Sequence, residues 1–470
     1  MTGHHLADTT ATKLPSSWLA LFFMVCFLIL VARNSFPFAF PALYAEDGTW
    51  IGGLLRDGFF QTAFNARVEF PVLGLVMAQG LALLLSEIFF GGDLTSIPLL
   101  ISVVSCVLLS LVAMLPLLLL HDILGRSYAI LLGVMIACLP VGSNGDEIFG
   151  RMLNLGFYST CVAQILLYCL LYRDPPPLHQ ALMYAVILVL MLTFPVVIGQ
   201  FLLFISFHAL IQLKSGQRRW ATWILCTVML GVVAAALLGK NFTGPGGANL
   251  PFKASALVEF AGARSILYPL VAPFYSSLTD TFVIALVSGV VGLGGFLCWK
   301  SRPGFVGLLD YRTFFFVNFM LVLFAMVVMR SGLTQIFSDY TTTFPDRYFV
   351  GLNISFLIML IALLAGMPSP LVRNSGLGLL SLLVVTWVAT LPIFELATPT
   401  MGDRQLGTLR DVICKTSDGT ALKLPSASEN LVTMPIYPVW AGHPWRISIP
   451  KESFQRTVAL QCHGGSGPGK

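Results

Sequence analysis

The sequence predicts an all-α polytopic membrane protein of about eleven transmembrane helices. Of the 470 residues, 56% are hydrophobic and only 10% are charged, and the mean hydropathy of +0.84 lies far above that of soluble domains. Apolar runs of membrane-spanning or nearly membrane-spanning length recur along the chain. The formal net charge of +5 is spread over loops rather than gathered on one face, so we expect no nucleic-acid partner.

Eleven apolar runs are interpreted as spans. Several are shorter than the ~20 residues that usually cross a bilayer, which indicates breaks near Pro140 and Pro195. The first run has no small-x-small cleavage site and is predicted to be an uncleaved anchor. The runs cover residues 16–32, 97–120, 127–141, 157–172, 180–194, 196–213, 221–239, 280–298, 312–329, 348–366 and 375–392.

The stretch "PVLGLVMAQGLALLLSEIFF" (71–90) determines the predicted orientation. By hydropathy alone it would be a twelfth span. If it stays on the outer face, the positive-inside rule is satisfied, because these basic residues fall in cytoplasmic loops: Arg126, Arg173, Lys214, Arg218, Arg219, Lys300, Arg302, Arg312 and Arg373. We therefore predict a cytoplasmic N-terminus (1–15), a transmembrane domain (16–392) and an outer, periplasmic appendage (393–470).

Two regions on the outer side have recognisable patterns. In the first outer loop (33–96), a helical apolar face predicts an amphipathic helix in the membrane interface; it comprises Trp50, Ile51, Leu54, Leu55, Phe59, Phe60 and Phe64. The appendage contains the strand-like runs "LVTMPIYPVW" and "HPWRISIP" and is predicted to be small and β-rich. Its Cys414 and Cys462 lie in polar sequence, apart from the apolar-segment cysteines, and are predicted to form a disulfide.

Polar residues of the outer loops are the candidate site residues. The chain has no P-loop, no His-Glu-x-x-His and no nucleophile elbow. Acidic residues at the membrane edge are costly without a purpose, and arginine pairs well with phosphate, so this distribution suits an anionic lipid-linked substrate. The candidates are Glu46 and Asp47 in the first loop, Asp146, Glu147, Arg151 and Asn154 in the second, and Arg264, Arg330, Asp346, Arg347 and Tyr348 further on.

An acidic motif after the first span, an interfacial helix and a second acidic loop together resemble the GT-C superfamily of membrane glycosyltransferases. The stretches "AEDG", "DEIFGRMLNLGFY", "LTFPVVIGQFLLF" and "DRYF" look like pieces of uncharacterised bacterial members. The resemblance implies a GT-C-like fold in a bacterial inner membrane. It also implies transfer of a sugar, with inversion, from a polyprenyl-phosphate donor to a glycan or lipid-linked acceptor of the cell envelope.

The resemblance assigns roles to the candidates. Asp47 or Glu46 would be the general base, with Asp47 favoured, and Arg151, Arg264, Arg330 or Arg347 would hold the leaving phosphate. Asp146, Glu147, Asn154, Asp346 and Tyr348 would contribute to substrate binding. We expect membrane lipids as partners and no cofactor, although the acids leave room for a divalent cation.

Three other interpretations stay open at the level of sequence. Asp47 could simply cap the helix that follows it. A lipid-linked-glycan flippase or secondary transporter would need charged residues within its spans, and these spans contain almost none. A non-catalytic envelope scaffold would not need the acidic pair at all.

Overall fold

The computed structural model describes residues 15–142, 148–152, 154–173, 175–216, 220–240, 254–301, 309–329, 340–341, 346–390, 407–420, 429–440 and 443–462. The candidates Asp146, Glu147 and Arg330 lie outside these ranges. The longer elements are α1 (Ser16–Arg33), α2 (Ala45–Asp57), α3 (Phe59–Asn65), α4 (Leu73–Phe90), α5 (Ile97–Leu119), α6 (Arg126–Cys138), α7 (Leu155–Tyr172), α8 (Pro177–Met191), α9 (Val196–Ser215), α10 (Trp220–Leu237), α11 (Asp280–Ser301), α12 (Tyr311–Met329), α13 (Val350–Ala365), α14 (Pro370–Thr390), α15 (Leu409–Ser417), β1 (Leu431–Trp440), β2 (His443–Pro450) and α16 (Lys451–Gln461).

The chain is a multi-pass, mainly helical membrane protein. Within the described ranges, nine helices are long and apolar enough to cross a membrane, and α6, α8 and α13 are shorter apolar helices. Each run interpreted as a span contains one of the helices α1 and α5–α14, over most of its length. The predicted breaks are present: α6 ends before Pro140, and Pro195 separates α8 from α9. Proline cannot donate an amide hydrogen bond and therefore ends a helix at these points.

Hydrogen bonds between helix ends define two ends of the bundle. At one, here called the Arg33 end, Arg33 Nη1 donates to Ala137 O at 2.7 Å and Asn34 Nδ2 donates to Phe149 O at 2.7 Å. At the opposite end, Arg173 Nη1 donates to Leu119 O at 2.7 Å. These bonds satisfy carbonyl groups that helix ends leave without partners.

Both ends of α4 contact the Arg33 end. At its N-terminus, the Gly74 amide donates to Thr193 Oγ1 at 2.8 Å, just before α9 begins. At its C-terminus, the hydroxyls of Ser86 and Ser96 are 2.8 Å apart, and Ser96 immediately precedes α5. Helix α4 therefore extends across the Arg33 end. Its exposed apolar residues recur at helical spacing along one face: Met77, Leu81, Leu84 and Ile88.

The predicted amphipathic helix is two helices. Gly58 has φ of 82°, a left-handed conformation that favours glycine, and separates α2 from α3. Trp50 and Ile51 are each only 1% exposed and pack inside the protein. The prediction that the face formed by Trp50 and Ile51 lies in the membrane interface is therefore wrong. Of the predicted apolar face, Phe60 in α3 is the residue that is largely exposed, at 75%.

The appendage combines a hairpin with two helices. β1 and β2 coincide with the two predicted strand-like runs and pair antiparallel. Helices α15 and α16 were not expected, so the described part of the appendage is mixed α and β rather than β-rich. Cys414 in α15 and Cys462, next to α16, form the predicted disulfide. Apolar side chains of the hairpin and of both helices share one core with α2, α4 and α5.

Candidate functional site

Asp47 is the third residue of α2, and its side chain points into the protein. The N-cap position is Tyr44, whose side chain makes no capping hydrogen bond, so the interpretation of Asp47 as a helix cap is wrong. The Asp47 side chain is 1% exposed. Its Oδ1 atom accepts a hydrogen bond from Gln79 Nε2 at 2.9 Å, and its Oδ2 atom accepts one from the Met152 amide at 3.1 Å.

The surroundings of Asp47 raise its pKa to about 7. Burial is the main cause, because a charged carboxylate loses its hydration there. The positive charge of Arg151 and the hydrogen bonds from Met152 and Gln79 oppose this effect, while Glu46 adds to it. A carboxyl group with a pKa near 7 can both take up and release a proton at neutral pH, which a general base must do.

Arg151 lies beside Asp47 on a short segment fixed to α5. Ser105 Oγ donates to Arg151 O at 3.2 Å, and Ser102 Oγ donates to Gly150 O at 3.1 Å. The guanidinium group is buried, donates from Nη1 to Ala42 O at 3.2 Å, and has its Cζ atom 4.7 Å from the Tyr44 ring centroid. The structure therefore brings together the acid of the first loop and the arginine of the second.

Asn154 and Glu46 occupy different surroundings next to this pair. Asn154 is 1% exposed and immediately precedes α7. Glu46 is partly exposed, with its Oε1 atom 3.5 Å from Arg67 Nη2. The Arg67 Cζ atom lies 5.2 Å from the Trp50 ring centroid. Of the two adjacent acids, Asp47 is thus the buried one and Glu46 the surface one.

Backbone strain accompanies the acidic pair. Ala45, directly before Glu46, has φ of 41°, which is uncommon for a residue with a Cβ atom. Strained backbone of this kind often marks functional sites, where the surrounding structure must hold it in place. Here the neighbouring segment is held by strand β1, because the Tyr437 amide donates to Leu43 O at 3.1 Å.

Two glycines let α2 pack closely on the hairpin. A Cβ atom at Gly48 would clash with Ile436 Cδ1, and one at Gly52 would lie 2.9 Å from the Ser448 carbonyl oxygen. Gly48 is not among the residues with positive φ. The role of Gly48 is therefore to allow close approach of β1. The hairpin covers the helix that carries Asp47.

A second buried polar cluster is built on the loop before α11. Residues Val258–Leu267 form a π-helix, in which Glu259 and Arg264 are one turn apart. Tyr275 Oη donates to Glu259 Oε1 at 2.9 Å. The Arg264 Cζ atom lies 3.5 Å from the Tyr268 ring centroid, and both charged side chains are at most 2% exposed. Burial and Glu259 together raise the pKa of Tyr275, which keeps its hydroxyl protonated.

The last predicted group lies in the 3-10 turn Asp346–Tyr348. Arg347 is partly exposed, and its Cζ atom lies 5.2 Å from the Tyr348 ring centroid. Tyr348 in turn packs edge-on against Phe157 in α7, with centroids 5.2 Å apart. Phe349 brings the cluster of Arg264 next to this turn, with the Arg264 Cζ atom 5.1 Å from its ring centroid.

The candidate residues thus form two groups at the Arg33 end. Asp47, Arg151 and Asn154 belong to one, and Arg264, Arg347 and Tyr348 to the other. The sequence-based candidate set missed Gln79, although it is the only polar side chain between Pro71 and Leu85. Glu259 is visible in the sequence as a polar residue of the same outer loop as Arg264 but was not assigned to the site, and Tyr275 was left out, because a π-helical spacing cannot be read from hydropathy.

Within the ranges that the structure covers, no group of three or more His, Cys, Asp or Glu residues is placed to hold a metal ion. No protein-family model, curated protein or solved structure matches this chain.

Proposed function

We propose that this chain is an inverting membrane glycosyltransferase of the GT-C type. It moves a sugar from a polyprenyl-phosphate donor to a glycan or lipid-linked acceptor of the cell envelope, on the outer face of a bacterial inner membrane. The observation that carries the proposal is the buried carboxyl group of Asp47, whose pKa is about 7 and which lies beside Arg151 at one end of a membrane helix bundle.

In the proposed reaction, Asp47 takes the proton of an acceptor hydroxyl as its oxygen bonds to the anomeric carbon. The bond between that carbon and the phosphate oxygen breaks, and the lipid phosphate leaves with the electron pair. A general base of this kind acts in its ionised form, which a group with a pKa of about 7 populates to about half at pH 7 and predominantly above it. The sugar configuration inverts because attack and departure occur on opposite faces.

Arginine side chains supply the counter-charge for the leaving phosphate. The charge of Arg151 already lowers the pKa of Asp47. Arg347 is partly exposed, so a donor phosphate can reach it from outside the bundle. Arg264 is buried against Tyr268, so we assign it mainly to holding the loop before α11 in place. A planar guanidinium can bind two phosphate oxygens at once.

The enclosed position of Asp47 has a mechanistic consequence. Because its side chain is 1% exposed, an acceptor hydroxyl reaches it only if the covering elements separate from α2. The hairpin, which packs on Gly48 and Gly52, is one such element. The proposed reaction cycle therefore includes an open form in which the acceptor enters, followed by closure that excludes water.

We further propose eleven spans, with the N-terminus in the cytoplasm and the C-terminus in the periplasm. The position of α4 supports this count, since both of its ends contact the Arg33 end of the bundle. The exposed apolar face of α4 would then contact lipid at the outer surface. In this arrangement, Asp47 and the appendage lie on the side where polyprenyl-phosphate sugars are used.

The test is transfer of radiolabel from a panel of polyprenyl-phosphate sugars by the purified protein in proteoliposomes containing envelope glycan acceptors. We expect Asp47→Asn to bind donor but to transfer ~10²- to 10⁴-fold more slowly, since Asn keeps the size and loses the proton acceptor. Asp57→Asn, on the exposed end of the same helix, should match the wild type. If the labelled lipid crosses the bilayer and no sugar is transferred, the protein is a flippase. If the lipid does not cross and no sugar is transferred, the result favours the scaffold interpretation.

A further inference from the structure

Gln79 lies in an apolar helix where a polar side chain is costly. It is 0% exposed and lies on the protein-facing side of α4 with Leu75, Ala82 and Ser86. Ser86 is satisfied by local partners, because its hydroxyl donates to Asp93 O at 3.0 Å. The Gln79 amide instead reaches a residue of another helix, Asp47 in α2. A buried amide without full hydrogen bonding is unfavourable, so packing alone does not account for glutamine here.

The direction of this hydrogen bond indicates which protonation state of Asp47 it favours. Gln79 Nε2 donates to Asp47 Oδ1 at 2.9 Å, which suits an ionised carboxylate. Gln79 Oε1 is buried and has no hydrogen-bond partner among the described atoms. The amide therefore makes its one hydrogen bond to the carboxylate and leaves its own oxygen unsatisfied. Such an arrangement costs stability and favours the charged form of Asp47.

We propose that Gln79 is the positioning residue of the general base: its amide favours the ionised form of the Asp47 carboxyl group and fixes the direction of Oδ1. This inference rests on the proposed function for its meaning in catalysis, but not for its test. Two charged groups also act on Asp47: Arg151, on the segment before α7, and Glu46, on its own helix. Neither changes in the variants below.

The proposal predicts the direction of change for each substitution of Gln79. Gln79→Leu removes the donor and should raise the pKa of Asp47, because the charged form loses a hydrogen bond. Gln79→Glu places a second carboxyl group beside the first and should raise it further, since two adjacent carboxylates resist ionising together. Ser86→Ala is the matched control, a buried polar residue on the same face of α4 that does not touch Asp47.

The experiment is a pH titration of the Asp47 carboxyl band by difference infrared spectroscopy on the full-length protein in nanodiscs. The band is assigned by its loss in Asp47→Asn. We expect a wild-type midpoint near pH 7, an upward shift of about one to two pH units in Gln79→Leu, equal to about ten- to a hundredfold in the acid constant, and no shift in Ser86→Ala. Gln79→Met, which keeps the unbranched shape, replaces Leu if that variant does not fold.

A wild-type midpoint retained in Gln79→Leu, or in Gln79→Met where it replaces Leu, would overturn the proposal even if Gln79→Glu shifts, because the added carboxyl group raises the pKa of Asp47 by its charge alone. The titration uses no donor or acceptor, so a shifted midpoint in a protein that transfers no sugar would reject the glycosyltransferase function and keep the link between Gln79 and Asp47. In an active protein, the acidic limb of the pH profile of kcat/KM should move by the same amount as the midpoint. A purely structural role of Gln79 would lower activity without moving that limb.

Discussion

Asp47 and Gln79 lie 32 positions apart in the sequence, and the Gln79 amide donates to the Asp47 carboxylate at 2.9 Å with both side chains at most 1% exposed. The contact joins α2 to α4, two helices of the segment that connects α1 to α5. The ionisation of Asp47 therefore depends on α4, a helix whose sequence is otherwise almost entirely apolar.

The first prediction concerns stability and pH. The pKa of Asp47 is raised from 3.8 to about 7 by folding, so below about pH 4 both the folded and unfolded states are protonated. As the pH rises to about 7, the unfolded chain releases the proton first, and the free energy of unfolding falls by on the order of 4 kcal/mol. Above pH 7 this contribution stays constant.

Thermal unfolding in detergent between pH 4 and pH 8 measures this effect. The Tm of the wild type should fall relative to that of Asp47→Asn across this range, because Asn carries no proton to lose. Asp57→Asn should keep the wild-type pH dependence in this window. Parallel curves for the wild type and Asp47→Asn would contradict the raised pKa.

The second prediction separates the arginines. Arg347→Lys should weaken donor binding while leaving Tm unchanged, because a partly exposed ammonium group cannot bind two phosphate oxygens in parallel. Arg264→Lys should lower Tm, since its guanidinium lies 3.5 Å from the Tyr268 ring centroid in a buried site. Arg56→Lys, on the exposed end of α2, is the control for both measurements. Donor affinity that is equal in the wild type and Arg347→Lys would remove Arg347 from the phosphate site.

The third prediction concerns the packing of the hairpin against α2. Gly52→Ala places a Cβ atom 2.9 Å from the Ser448 carbonyl oxygen and should cost roughly 1–3 kcal/mol of stability. Gly80→Ala in α4 meets no atom within 4 Å and should be neutral or stabilise the helix by about 0.5–1 kcal/mol. Chemical denaturation of the two variants, with protease cleavage of the appendage as a second readout, makes the comparison. Equal stability of both variants would mean that the hairpin does not pack tightly on α2.

The fourth prediction concerns the position of α4. Cysteines introduced at Val68, before the helix, and at Glu87, near its end, should both react with a membrane-impermeant maleimide on intact cells, because both ends of α4 contact the same end of the bundle. Leu371→Cys, an exposed site at the start of α14, should react only after permeabilisation. Outside labelling at residue 68 combined with inside labelling at residue 87 would make α4 a span and reverse the orientation of everything after it.

The sequence by itself determined the helices and their breaks. Apolar runs of bilayer length form helices because backbone groups in lipid can be satisfied only within the segment, and proline at positions 140 and 195 interrupts them. Short strand-like runs rich in β-branched and aromatic residues, bounded by Gly and Pro, predicted both hairpin strands with their observed bounds. The acidic residues and arginines of the loops could be recognised as candidates from the sequence because charged residues are rare in this chain.

Only the tertiary structure decided which of those residues meet. Asp47 and Glu46 are neighbours in sequence, yet packing buries one against Gln79 and Met152 and leaves the other at the surface. Burial rather than residue type raises the pKa of Asp47, and burial depends on α4 and the hairpin, which come from distant parts of the chain. The sequence thus supplied the chemical groups, while long-range packing selected the acid with a pKa near neutral pH.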